Sequence, residues 1–410
     1  MGRFRQVCLA TAVCALVPAL ASAQEMQAEV IHWWTSGGES AAVKVFADQF
    51  ESAGGTWIDN AVAGGSNART AGINRIVGGD PPTAMQFNTG LQFDEIVGNG
   101  FLRDLEEVAA AGKWREVLPE AIIKATNRED KFYAVPVNIH GQNWLWYNTK
   151  VFADAGVEPP RGFEEMIEVG PKLKDAGVVP MAFSGEPNWE RFLFNAVLLG
   201  KGGSELYLDV LGNKNIDAVN SDGFREVAET FIELRDLVDE GSPGRKWNDA
   251  TNMVITGQAA MQVMGDWAKG EFIAAGQTAG EEYGCTVLGG GYIMGGDVFV
   301  FPIVDDPAKQ AAQVKLAELM MAPETQIEFN KKKGSVPVRL DVDVSSMDVC
   351  AQQGMAMLQD AEQQIPSDNF LTTPDMYGAL QDVITEYWNS PSMDVDTFVE
   401  NYASAMEAAS

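Results

Sequence analysis

A chain of 410 residues carrying 58 acidic against 29 basic side chains has a net charge of −29. That balance gives it no electrostatic reason to approach nucleic acid or an anionic membrane surface, and it favours a soluble monomer. The length exceeds what one core organises, which implies two domains or one core divided between two lobes.

The chain opens as a secretion signal. Arg3 and Arg5 form a basic start, residues 7–20 an apolar stretch, and Ala21-Ser22-Ala23 a small-residue cleavage site before Gln24. The apolar stretch is too short to span a membrane, and no later run of about 18 apolar residues occurs. Cys14 follows Thr11-Ala12-Val13, which lacks the context of a lipid-modified cysteine. The expectation is a protein released freely into the periplasm after loss of residues 1–23. Cys8 and Cys14 leave with the signal. Cys285 and Cys350 remain in an oxidising compartment and are expected to form one disulfide.

Strand-like and helix-like patterns then alternate to the carboxyl end. Glu29-Val-Ile-His-Trp33 reads as a strand. A Gly/Ser loop follows, then a helix with Val43, Phe46 and Phe50 on one face, closed by Gly54-Gly55. Ala84-Met-Gln-Phe87 is a second short strand, entered from the turn Gly78-Gly79-Asp80-Pro81-Pro82. Pro136 keeps 133–140 extended, and Trp144-Leu-Trp-Tyr147 continues as a strand. Amphipathic helical periodicity covers 164–176 and 224–238. Gly257 breaks a helix ahead of an apolar strand over 259–264. Gly265 frees the backbone to turn, and Asp266 is expected to cap a helix beginning near Trp267. A strand over 298–301 and helices over 311–321, 376–388 and 395–406 complete the pattern. The alternation implies an α/β fold with mainly parallel sheets and a site at the carboxyl ends of strands.

The segment Gly257-Gln-Ala-Ala-Met-Gln-Val-Met-Gly-Asp-Trp267 resembles part of the extracellular solute-binding proteins that feed sugars to ABC importers. Lys131-Phe-Tyr-Ala-Val-Pro136, Trp146-Tyr-Asn-Thr-Lys150-Val-Phe, Ala155-Gly-Val-Glu-Pro159 and Lys331-Lys-Lys-Gly-Ser-Val-Pro-Val-Arg339 resemble the maltose- and glucose-binding branch. The opening Trp33-Trp-Thr-Ser-Gly-Gly-Glu39 looks closest to the glucose-type members. The resemblance covers nearly the whole mature chain. It implies a two-lobe periplasmic-binding-protein fold, with a ligand cleft between the lobes and three crossings near 134–140, 286–295 and 333–339. Pro136, Gly289-Gly290-Gly291, Gly295-Gly296, Gly334 and Pro337 stand at those crossings, where hinge residues absorb backbone rotation. On this mapping residues 24–135 and 291–335 form one lobe, and 136–290 and 336–410 the other.

Sugar recognition needs aromatic faces for the C–H surface and paired polar groups for the hydroxyls. The resemblance places Trp267 as a stacking platform, expected to be only partly packed without ligand. Alternation on the first strand sends one of Trp33 and Trp34 to the core and the other to the cleft. Glu39 lies in the first turn of the next helix, whose dipole favours its ionised form. Gln86 and Asn88 flank Phe87 and point the same way. They match a glucose-type pair, although Asn88 stands where that pattern has a basic residue or histidine. Asp297 matches a family carboxylate that accepts sugar hydroxyls, and Lys333 a family lysine. His140, within Asn138-Ile-His140-Gly-Gln-Asn143-Trp144, reads as a hinge histidine or a ligand contact. Trp189 reads as a second stacking wall or a core residue. Asp375 stands where glucose-type members carry a histidine, a second departure.

The resemblance implies no cofactor and no chemistry, with a carbohydrate and a membrane permease as partners. Two other classes stay open. A periplasmic glycosidase would need two carboxylates roughly 5–9 Å apart, but no G-x-S-x-G elbow, P-loop, H-E-x-x-H or C-x-x-C occurs. The stretch Asp341-Val-Asp343-Val-Ser345 starts like a calcium loop, but Ser346 and Gln352 replace its glycine and closing glutamate. The other class is a receptor for a non-sugar solute such as ferric iron or a polyamine; iron would need clustered Tyr, His and carboxylate, from a chain with two histidines and eight tyrosines.

Overall fold

In the computed structural model residues 26–409 are described, so the expected signal peptide lies outside the described residues. The chain builds two main sheets. One runs in the order Thr56–Ala61, Gln27–His32, Ala84–Asn88, Asp297–Val300, Ala134–Pro136. The other runs Tyr283–Val287, Trp144–Asn148, Ala259–Met264, Val179–Met181. Each sheet contains a single reversed strand, Asp297–Val300 in the first and Trp144–Asn148 in the second. The expected parallel character therefore holds for strand direction, while the reversed strands make most of the paired edges antiparallel. The cause is the connection. Both reversed strands follow a short strand directly, without the helix that returns a chain to the starting end of its sheet.

Local signals set the element ends. Ser36 and Glu39 form a capping box at the helix Gly37–Ser52. That helix buries Val43, Phe46 and Phe50, and Phe46 stacks on Phe329 with ring centroids 4.3 Å apart. In the second lobe Phe194, Phe224, Phe231, Phe398 and Tyr402 are buried together. There the helix Pro374–Asn389 packs on Pro187–Leu211, and Val395–Ala408 on Asp222–Glu233. The expected helix over 224–238 is thus shorter and gives way to a 3₁₀ turn, Leu234–Leu237.

A third, small sheet has the order Gln364–Pro366, Tyr292–Gly295, His140–Gly141. Ile139 pairs with Val336 in both directions, at 2.9 and 3.1 Å, and Val137 N donates to Asp297 O at 3.0 Å. Runs near residues 137–141, 292–297 and 334–338 therefore lie side by side. Glycine makes the approach possible. A Cβ on Gly296 would stand 2.5 Å from the Asn138 carbonyl oxygen, and one on Gly334, at φ +91°, 2.4 Å from that of Asp266. Cys285 and Cys350 are bonded, with Cα atoms 6.1 Å apart, tying the second sheet to the helix Val349–Leu358.

Candidate functional site

A cavity of about 720 Å³ opens between the two lobes. Its most constrained charged group is Asp297. The sheet register sets Asp297 opposite Asn88, with Gln86 two residues along on the same face. Gln86 Nε2 donates to Asp297 Oδ1 at 3.0 Å and Asn88 Nδ2 to the same oxygen at 3.4 Å. Asn138 Nδ2 donates to Oδ2 at 2.9 Å and, in return, its Oδ1 accepts from Asp297 N at 2.7 Å. His140 Nε2 lies 2.9 Å from Oδ2. Burial alone would push this carboxyl up. The hydrogen bond and charge of His140, with Lys333 and Asn138, hold it below the ordinary range. Asp297 is thus an ionised acceptor at the cavity wall, only 3 % exposed.

Aromatic rings form a second wall. Trp267 sits at the tip that follows Ala259–Met264, with Trp189 5.8 Å and Phe192 5.6 Å away between centroids. Trp247 extends the wall beyond Trp189. Trp267 is 8 % exposed and belongs to the core cluster. The expectation of a loosely packed platform is therefore corrected, because neighbouring rings enclose it in this arrangement. Its Nε1 has no protein acceptor. Asp266 does not cap the helix Ala268–Ala274 as expected. Its carboxylate turns back to His140 and to Gly141 N, and the helix start has no side-chain cap.

The expected alternation is met only in part, because the strand ends at His32 and both rings line the cavity. Trp34 is 1 % exposed, packs on Phe299 and Phe329 and has Lys333 Nζ over its ring, while Trp33 is half-buried with Arg69 above its ring. Glu39 serves the capping box and also meets Lys333 Nζ at 3.4 Å, so one carboxylate both ends a helix and lines the cavity.

Two expected residues lie apart from the cavity wall. Gln86 stands behind it, holding Asp297 and accepting from Trp33 N at 3.0 Å. Asp375 is exposed in the first turn of Pro374–Asn389, while Tyr377 and Gln381 of that helix line the cavity. Residues two apart on a helix point to nearly opposite sides, so Tyr377 faces the cavity where Asp375 does not. Sequence reasoning also passed over Arg69, Glu186, Trp247 and Asn369. Trp247 had a signal, since it opens a helix after a turn as Trp267 nearly does. Arg191 is buried and invisible from its local sequence. It pairs with Asp368, lies 3.7 Å over the Tyr377 ring, and donates to the Tyr377 hydroxyl at 2.5 Å.

Comparison with known proteins agrees with this geometry. The chain is 34 % identical to a probable sugar-binding periplasmic protein of Brucella suis biovar 1 (strain 1330), over 98 % of both chains. Two solved structures share the fold. A chitin oligosaccharide binding protein has a TM-score of 0.80 at 18 % identity, covering 94 % of this chain and 99 % of its own. The bacterial solute receptor AcbH, described as preferring β-D-galactopyranose, has a TM-score of 0.79 at 19 % identity, covering 93 % and 98 %. Residues 34–327, most of the chain, match the family described as bacterial extracellular solute-binding protein, and this chain belongs to that family.

Proposed function

We propose that this protein is the periplasmic sugar receptor of an ABC importer, capturing a mono- or small oligosaccharide between its lobes and passing it to the membrane permease. The observation that carries the reading is the pairing of two surfaces in one cavity. Asp297, ionised and fixed by four side chains, faces the space beside the rings of Trp189, Trp247 and Trp267. A pyranose presents the matching pair, hydroxyls that donate to a carboxylate and a C–H face that lies on indole. Trp33, Glu39, Asn88 and Lys333 would complete the ligand contacts, with Gln86 holding Asp297 from behind. Lobe boundaries at the runs near 137–141, 292–297 and 334–338 would let the two sheets rotate about the small third sheet.

A sugar panel in a thermal-shift assay tests this directly. A ligand present at 100 times its dissociation constant is expected to stabilise the protein by about 2.7 kcal/mol. No shift with any neutral sugar, beside a shift with a non-sugar solute, would overturn the reading.

Binding without turnover is part of the same proposal. A glycosidase needs one carboxyl raised to serve as a general acid. Asp297 is shifted the opposite way, Glu39 is committed to Lys333 and the capping box, and Glu186, the third acid on the wall, accepts from Trp189 Nε1 at 3.1 Å. Incubation with any glycoside that binds is therefore expected to release no reducing sugar. Steady release that disappears on mutating a single acid would defeat this part.

A further inference from the structure

Asp297 is held from both lobes. His140, 4 % exposed, presents Nε2 to Asp297 at 2.9 Å and Nδ1 to Asp266 Oδ1. Two carboxylates facing the two ring nitrogens favour the doubly protonated imidazole, which donates to both, over a neutral ring whose Nε2 would accept from Asn138 Nδ2 at 3.0 Å. Asp266 is equally enclosed, at 2 % exposed. Its Oδ2 accepts from Gly141 N at 2.9 Å and from the Tyr292 hydroxyl at 3.2 Å. This carboxylate stands on the turn after Ala259–Met264, beside Trp267, whereas Asp297 opens a strand of the other sheet.

We propose that Asp266 is a positioning residue which, through the His140 imidazolium, orients Asp297 and couples it to the turn that carries Trp267. The proposal rests on the carbohydrate reading above. Asp266 does not line the cavity, and His140, Gly141 and Tyr292 take its oxygens. Its effect passes through His140. The imidazole edge also meets the Trp267 ring, with centroids 5.1 Å apart at 89°. One cationic ring therefore touches the carboxylate, the platform and the carboxylate behind the platform.

The groups facing His140 are Asp266, Asp297 and Lys333, with Tyr292 behind Asp266 and Glu39 paired to Lys333. Burial and Lys333 oppose the charged ring. The carboxylates of Asp266 and Asp297 outweigh them and hold the imidazole above its ordinary value. The sign follows from that direction. The coupling is complete below about pH 6.5, the ordinary histidine value, and is lost as the pH rises through the folded-state value of His140. Tyr292, raised well above its usual value by burial and by Asp266, stays a neutral donor throughout.

The test combines binding and imidazole NMR on the mature protein. The chain has only two histidines, so a His32→Gln variant assigns the His140 ring signals. In the wild type these signals are expected to stay in the protonated form above pH 6.5, with sugar affinity falling over the pH span where they change. Asp266→Asn keeps the shape and removes the charge. It is expected to raise the sugar dissociation constant about tenfold at pH 7 and to move both the ring titration and the affinity profile to lower pH. A His140 ring that titrates at or below the ordinary value in the wild type overturns the proposal, with no need for the variant to fold. An Asp266→Asn protein whose pH profile is unmoved also overturns it. Failure of the wild type to bind any sugar is a different result and sinks the carbohydrate reading, while the ring titration still reports whether the bridge is charged.

Discussion

Trp267→Ala is expected to weaken sugar binding by about 2–4 kcal/mol, roughly 30- to 1000-fold in the dissociation constant. The ring offers apolar surface worth about 25 cal/mol per Å² on burial, plus roughly 0.5–1.5 kcal/mol of aromatic geometry. Sequence alone suggested that alanine here would spare stability. The structure changes that expectation. Trp267 is enclosed by Trp189, Phe192 and His140, so its removal leaves a cavity and is expected to cost about 3 kcal/mol of stability as well. Affinity must therefore be measured well below the melting transition of the variant. Trp267→Phe separates the contributions, because it keeps an aromatic face and most of the packing but loses the indole N–H that has no protein acceptor. A folded Trp267→Ala protein with unchanged sugar affinity would remove the platform assignment.

The architecture was legible because its signals are periodic and local. The Gly/Ser loop and Glu39 marked the start of the first helix, whereas Trp34 turned out to pack in the core and line the cavity beside Trp33. Glycine marked places where backbones approach closely, as at Gly296 and Gly334. What stayed hidden depends on contacts between distant segments. Asp266 looks like a helix cap in one dimension, yet a partner 126 residues away claims its carboxylate. Tyr377 was missed beside Asp375 because a helical face turns by about 100° per residue. The buried Arg191 that holds it comes from another helix altogether. The reversed strand in each sheet was equally unreadable, since it follows from a direct connection to a short strand of the third sheet.

Removal of the Cys285–Cys350 disulfide is expected to cost about 4 kcal/mol of stability while leaving sugar affinity near the wild-type value. The bond closes a loop with a sequence separation of 65 residues, for which chain entropy of the unfolded state gives that magnitude. It joins the edge strand Tyr283–Val287 to the helix Val349–Leu358. Neither cysteine lines the cavity, so the loss acts on the unfolded chain and on that edge, with the ligand contacts preserved. Edge strands are the least supported members of a sheet, having a neighbour on one side only. The Cys285→Ser, Cys350→Ser protein should therefore show a lower urea midpoint, and reduction of the wild type should reproduce it. Sugar titrations at low denaturant should superimpose. Two free thiols in the unfolded, unreduced wild type would remove the bond from consideration. A large loss of affinity in the folded double variant would show that the bond also sets the cavity, against the placement of its sulfurs away from the ligand wall.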